Sequence, residues 1–151
     1  MDNFMVNLQN AVAAARTETF NKSDQLSLGE IIAKCEAIAA IGYRSHDGSE
    51  PSVVYDFEYL YPTDIDSWRG SYAELALNFE SDGDKLSLSG FIQLLKSAVG
   101  KTFFGYKGGE YVMSRHTPVW VANYGNGGST AIIDVINDDY QVILITARRK
   151  F

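Results

Sequence analysis

Asp64, Asp66, Trp68 and Arg69 fall close together in the run DFEYLYPTDIDSWRGSY, from Asp56 to Tyr72. The Arg69 guanidinium is a planar fork suited to phosphate or carboxylate, and Trp68 offers an aromatic face for stacking. Asp64 and Asp66 could orient Arg69 or accept from a ligand hydroxyl, and Tyr72 adds a second aromatic contact. A plain connection needs neither a tryptophan nor an arginine. The same side chains could instead brace the chain, with Trp68 plugging a sheet end and Arg69 pairing with an aspartate. A second candidate is FGYKGGEY, where Gly105, Gly108 and Gly109 surround Lys107 and would let backbone amides approach an anion. Tyr106 and Tyr111 flank it as a recognition edge. It lacks the GxxxxGK[ST] spacing and a following helix, so it is not a P-loop; the simpler reading is a hairpin turn with an exposed lysine.

Other chemistry finds little support. His46 and His116 lie far apart in the sequence, Cys35 sits on an apolar helix face, and no metal-ligand spacing appears. Asp82 and Asp84 match only part of a calcium loop. No serine stands in a nucleophile elbow, and Asp64 and Asp66 read as turn residues more readily than as an acid–base pair. The expectation is a protein with no catalytic residue, no metal and no cofactor, hence not an enzyme.

The elements that must position these residues follow from periodicity. Residues 2–19 read as a helix with Phe4, Met5, Leu8 and Val12 on one stripe. A second helix starts at Ser27, with Glu30 completing a capping box and Gly42 ending it. Its buried face is Leu28, Ile31, Ile32, Cys35, Ile38 and Ile41, and residues 44–52 form a polar surface loop. Tyr55, Phe57, Tyr59 and Tyr61 alternate as a strand that Pro62 stops. A turn-rich passage over 63–71 leads to a strand carrying Ala73, Leu75, Leu77 and Phe79. A third helix runs from about Leu88 to Val99, followed by a hairpin over 102–113 turning at Gly108-Gly109. Strands at Val119–Tyr124, Thr130–Ile136 and Tyr140–Ala147 precede a basic tail, Arg148-Arg149-Lys150.

DQLSLGEIIAKCEAI from Asp24 matches DKLSLSGFIQLLKSA from Asp84 at an offset of 60, and Gly70–Ala73 matches Gly128–Ala131 at an offset of 58. These matches predict two related helix-strand-loop-strand units, 24–80 and 84–147, sharing one core behind an N-terminal helix over 1–22. The fold expected over 1–151 is a single α+β domain, with helices on one side of a mainly antiparallel sheet. The duplication would place the DSWRG loop and the Gly125–Ser129 loop at equivalent positions.

The chain has 151 residues, 46% hydrophobic and 21% charged, with a net charge of −6. That acidity works against nucleic-acid and anionic-membrane binding. One cysteine fits a reducing compartment, and no apolar run is long enough to span a membrane.

LSLGEIIAK, DFEYLYPTDIDSWRGSYAELAL, FGYKGGEYVM and TPVWVANYGNGGSTAIIDV, in that order, resemble segments of a group of small uncharacterised bacteriophage and prophage proteins. That group carries an LxxGEL helix, a PTxxDSWRG(S/I)Y segment, a G(Y/W)KGG segment and a TAIVGV-like strand. The resemblance covers about residues 26–146; DSWRG is its specific part, and the chain departs from it at Ala73–Ala76 and in the insertion at 44–52. The resemblance implies a bacterial host cytoplasm and an accessory role that disables or redirects a host system, and it supplies no catalytic residues. The leading expectation is a non-enzymatic protein that binds a bacterial host protein, such as a defence or regulatory component, through Trp68, Arg69 and Tyr72, with Tyr106 and Lys107 next. The alternative is a binder that sequesters a nucleotide signal between Trp68, Arg69 and the Gly108-Gly109 amides. A hydrolase using Asp64 or Asp66 is a third reading, and an exposed edge strand leaves a homodimer open.

Overall fold

Ser27 and Ser87 each open a helix whose first N–H groups would otherwise lack partners. The computed structural model describes residues 19–20, 24–57, 60–105, 108–122, 129–138 and 140–149. In it Ser27 caps α1 (Leu28–Ile41) through a capping box: Glu30 N–H donates to Ser27 Oγ, and Ser27 N–H donates to Glu30 Oε1. Gly42 ends α1 with φ 82°, a left-handed conformation that glycine adopts without a Cβ penalty. Ser87 caps α2 (Leu88–Ala98) by accepting from Gly90 N–H. Both helices were expected, with these caps.

The strands are β1 (Thr19–Phe20), β2 (Ser52–Tyr55), β3 (Ile65–Trp68), β4 (Ser71–Leu77), β5 (Thr102–Phe104), β6 (Glu110–Val112), β7 (Val119–Val121), β8 (Thr130–Asn137) and β9 (Gln141–Arg149). β5 and β6 form a separate antiparallel ribbon. The others form one sheet in the order β1–β9–β8–β7–β4–β3, with β2 also on β9. The architecture is α+β, and the antiparallel ladders β3–β4, β7–β8 and β8–β9 carry more of the pairing than the parallel ones.

The sheet consists of two interlocked sets. β2 pairs in parallel with β9, the second strand of the β8–β9 hairpin, with Val53 opposite Val142 and Tyr55 opposite Leu144. β7 pairs in parallel with β4, the second strand of the β3–β4 hairpin, with Val119 opposite Leu75 and Val121 opposite Leu77. The β2–β9–β8 set thus repeats the β7–β4–β3 set, and the two join where Ala131 meets Trp120. The helix entries show the same exchange. Leu28 N–H donates to Thr117 C=O just before β7, and Leu88 N–H donates to Pro51 C=O just before β2. Each helix is therefore tied to the strand that follows the other helix. The offset of 60 at the caps becomes 119 − 53 = 66 at the strands, because the ribbon is inserted between α2 and β7.

One face of the sheet packs on both helices. Leu28, Ile31, Ile32, Cys35 and Ile38 of α1 and Leu88, Phe91, Leu95 and Ala98 of α2 share a core with Val53, Ile65, Leu75, Leu77, Val119, Ile132 and Leu144. The other face carries an aliphatic cluster around Val54, Ile143 and Ile145, and an aromatic one of Trp68, Trp120, Ala76 and Ala131.

Four expectations are corrected. The strand expected through the aromatic run ends at Tyr55: the chain bends at Asp56-Phe57, where Asp56 is buried and accepts from Thr146 N–H at 2.9 Å and Thr146 Oγ1 at 2.7 Å. The turn-rich passage contains β3, hydrogen-bonded to β4, so the turn shrinks to Arg69-Gly70. Gly70–Ala73 and Gly128–Ala131 are not equivalent, since Ser71 opens the second strand of its hairpin and Thr130 opens the first strand of the other; the counterpart of the β3–β4 turn is the β8–β9 turn. Finally, Arg148 and Arg149 belong to β9, where they pair with Thr19 and Phe20, instead of a free tail. The expected N-terminal helix lies outside the described residues, apart from Thr19 in β1, as do Glu58, Tyr59, residues 123–128 and Lys150.

Candidate functional site

Asp66, Trp68, Ala76, Trp120 and Ala131 project from the same side of the β3–β4–β7–β8 region, opposite the helices. The register shows why: Asp66 faces Ala76, Ala76 faces Trp120, and Trp120 faces Ala131. The two indoles stack with ring centres 4.1 Å apart and planes 12° from parallel. Trp120 Nε1–H donates to Glu74 Oε1 at 2.9 Å. Trp68 Nε1 is buried and has no hydrogen-bond partner among the described residues. Gly70 lets the chain turn directly over the Trp68 ring, because a Cβ there would come within 2.5 Å of it.

Beside the stack is a cavity of about 210 Å³ bounded by Asp64, Asp66, Arg69, Asn78, Ala76 and Ala122. Each aspartate is anchored by one carboxylate oxygen: Asp64 Oδ1 accepts from Ile65 N–H and Asp66 Oδ1 from Ser67 N–H. Asn78 Oδ1 accepts from the N–H groups of Thr63 and Asp64, which fixes the approach to β3. The result is a small recess with an alanine floor and a carboxylate-rich rim.

The internal counterpart of this recess is closed. Ala76 corresponds to Ile143, Asp66 to Ile136 and Trp120 to Val54, by the registers of the two sets. Ala122 corresponds to Asp56, since Ala122 N–H donates to Leu77 C=O as Asp56 N–H donates to Leu144 C=O. Where one set has packed isoleucines and the buried Asp56–Thr146 pair, the other has two alanines, an aspartate and the open cavity.

Asp64, Asp66 and Arg69, singled out in the sequence, are thus brought together. Trp68 is only 7% exposed and stacked on Trp120, so it supports the site from behind instead of offering a free face. Tyr72 is half-buried and turned to the ribbon: its ring lies 6.2 Å from that of Tyr111, and a Cβ on Gly105 would touch it at 2.9 Å. Gly108 and Gly109 make the ribbon's turn with φ 96° and 89°, and Gly108 N–H is already bonded to Gly105 C=O. Tyr106 and Lys107 lie outside the described residues. Ala76, Asn78, Ala122, Glu74 and Trp120 went unnoticed in the sequence; aligning the halves at an offset near 66 would have exposed the first and last of them.

Elsewhere, an opening of about 550 Å³ lies at the start of α1 beside Gly29, Arg115 and His116. The N–H groups of Leu28, Gly29 and Glu30 there are bonded to Thr117 C=O, Arg115 C=O and Ser27 Oγ, which leaves no helix-end amide to hold an anion. Burial, with Glu36 nearby, pushes the Cys35 thiol up to about 12, so it stays protonated and inert at neutral pH. Burial also raises the Tyr61 phenol, helped by the negative charges of Asp82, Glu80 and Asp84. No group of three or more His, Cys, Asp or Glu side chains among the described residues is placed to hold a metal ion, and no described helix is long and apolar enough to cross a membrane.

Comparison with protein-family models, with curated proteins and with solved structures finds no match to this chain.

Proposed function

We propose that this chain is a phage-encoded, non-enzymatic binding protein that acts by occupying a bacterial protein in the host cytoplasm, and that the cavity of Asp64, Asp66 and Ala76 belongs to its contact surface. The observation that carries this reading is the cavity's position: it opens where the duplicated half of the same sheet is filled. Two carboxylates over an alanine floor suit a lysine or arginine side chain, whose aliphatic stem packs while its charge is paired. The resemblance of residues 26–146 to phage and prophage proteins supplies the bacterial setting. The nucleotide-sequestering alternative has less support. Trp68 stacks on Trp120, Gly108 N–H is used within its own turn, and a phosphate in the recess would meet two carboxylates, Asp64 and Asp66, against the one guanidinium of Arg69.

The test compares wild type with Ala76→Ile, which fills the recess as Ile143 fills its counterpart, and with Asp66→Asn. Wild type should retain a specific bacterial protein on affinity capture, and both variants, still folded, should lose most of it. Thermal unfolding of wild type should not shift with mono-, di- or cyclic nucleotides. An upward shift abolished by Arg69→Ala would replace this reading with nucleotide binding.

A further inference from the structure

Asp64 and Asp134 hold equivalent positions in the two sets. Ile65 opposite Leu77 corresponds to Val135 opposite Leu144, so the residues before them correspond as well. The pairing agrees: Asn78 N–H, just after Leu77, donates to Asp64 C=O, and Ile145, just after Leu144, lies opposite Asp134. Both aspartates are anchored in the same way. Asp64 Oδ1 accepts from Ile65 N–H and Asp134 Oδ1 from Val135 N–H, each at 2.8 Å. Two carboxylates held alike differ in what meets them.

Asp134 is met by an ammonium. Lys34 of α1 places Nζ 3.1 Å from Asp134 Oδ1, the oxygen that also holds Val135 N–H. The caps Ser27 and Ser87 align α1 with α2 at an offset of 87 − 27 = 60, which puts Leu94 where Lys34 stands. Leu94 packs against the core and brings no charge. Asp64 forms no ion pair among the described residues, and it lines the recess beside Ala76 and Ala122. The half without the lysine is the half with the opening.

The recess also sets the kind of cation. Asp64 and Asp66 stand against the one guanidinium of Arg69, so a single added positive charge brings the lining to neutrality. The Oδ1 atoms of both aspartates are engaged by Ile65 N–H and Ser67 N–H, and neither Oδ2 has a partner among the described residues. A guanidinium binds a carboxylate best as a fork on both its oxygens, and here each aspartate offers one free oxygen. An ammonium is a compact charge with rotatable donors, and it can take one oxygen from each aspartate. Its aliphatic stem packs on apolar surface with the charge held at its tip, which matches an alanine floor under a carboxylate rim.

We infer that the recess is selective for lysine. A lysine side chain of the bacterial protein enters it, with its stem on Ala76 and Ala122 and its ammonium between Asp64 and Asp66, and supplies from outside what Lys34 supplies to Asp134 from within. The inference rests on the binding reading above and narrows it from either basic side chain to one. It also makes the contact sensitive to acetylation of that lysine, which removes the charge.

The experiment titrates the isotope-labelled full chain with Nα-acetyl-lysine N-methylamide, with its arginine analogue and with its Nε-acetylated form. Nuclear magnetic resonance follows the backbone amides of Ile65, Ser67, Ala76 and Ala122. The lysine compound should shift these amides saturably at millimolar concentration, the range for a fragment of that size. The arginine compound should bind at least about threefold more weakly, and the Nε-acetylated compound should not bind. Asp64→Asn and Asp66→Asn should each weaken the lysine compound about two- to fivefold, the range of a solvent-accessible ion pair. Ala76→Ile should abolish its binding while the folded spectrum is retained. Equal binding of the lysine and arginine compounds overturns the selectivity. No saturable shift with the lysine compound overturns the inference outright. In either case, affinity capture of a bacterial protein that Ala76→Ile abolishes leaves the binding reading standing, whereas failed capture removes that reading too. Putrescine binding more tightly than the lysine compound overturns a protein as the source of the ammonium.

Discussion

The β2–β9–β8 set and the β7–β4–β3 set share backbone pairing and differ in what they place on the sheet face away from the helices. The first carries Val54, Ile143 and Ile145, with Ile133 and Ile136 packed alongside, and turns Asp56 inward onto Thr146. The second carries alanine at 76 and 122, Asp66 on the surface, and two stacked tryptophans. Replacing isoleucine by alanine gives up buried apolar area at roughly 25 cal/mol per Å². Trp68 and Trp120, each burying on the order of 150–250 Å², offset that loss next door. A half that concentrates its packing in two large rings can leave a recess beside them without losing its fold. The pairing pattern alone makes a sheet; the choice between isoleucine and alanine decides whether it has an opening.

The largest expected effect tests whether the rings carry that half. Trp120 is fully buried, stacked on Trp68 and bonded to Glu74. Trp120→Ala should cost about 3–5 kcal/mol by chemical denaturation, against about 2 kcal/mol for Val54→Ala at the equivalent position. Equal losses would mean that the stack is not the second half's substitute for aliphatic packing. The next pair exchanges the two floors. Ile143→Ala should cost about 2–5 kcal/mol, because it hollows a filled site. Ala76→Ile should stay within about 1.5 kcal/mol of wild type, since it grows into existing space. A severe loss from Ala76→Ile would show that the recess is too narrow for a side chain and would break the comparison at its centre.

Gly70→Ala should fall between these. Its Cβ would lie 2.5 Å from the Trp68 ring, so the indole must shift off the stack, at a cost of about 1–3 kcal/mol. A near-ultraviolet circular dichroism change, with far-ultraviolet signal retained, would locate the damage in the tryptophan pair. An unchanged aromatic spectrum would show that the turn, and not the ring, yields.

The parts legible in the sequence were the local ones. Ser27-x-x-Glu30 and Ser87 announce helix starts because capping is settled within four residues. Asp64, Asp66 and Arg69 were recognisable as a cluster because a single short hairpin holds them. The strand at Ile65–Trp68 was hidden: Asp66 and Ser67 are poor strand formers, and its hydrogen bonds come from β4. The alternating aromatics after Tyr55 misled because the Asp56 carboxylate bonds Thr146, 90 residues away, and bends the chain. The exchange of β2 and β7 between the halves is non-local and leaves no mark in either segment. Ala76 and Ala122 matter through the space they leave, which no residue type announces.

The smallest expected effect separates the two connections by pH. Asp47 Oδ1 accepts from the hydroxyl of Ser45 and from the hydroxyl and N–H of Ser49, and these bonds hold its carboxyl well below the usual carboxylate range. With a folded-state pKa below the unfolded value of about 3.9, the stabilisation is present above about pH 4 and is lost as pH falls towards the folded-state value. The ribbon is held instead by the ring contact of Tyr72 with Tyr111 and by backbone bonds such as Gly105 N–H to Gly109 C=O and Met113 N–H to Lys101 C=O. Acid should therefore loosen the loop first: the amides of Gly48 and Ser49 should lose protection from hydrogen exchange below about pH 4, while those of Gly105 and Met113 hold. Asp47→Asn should show weaker loop protection at neutral pH and no further loss on acidification. If loop and ribbon loosened together in wild type, the two connections would be one cooperative unit, and the Asp47 bonds would not be what distinguishes them.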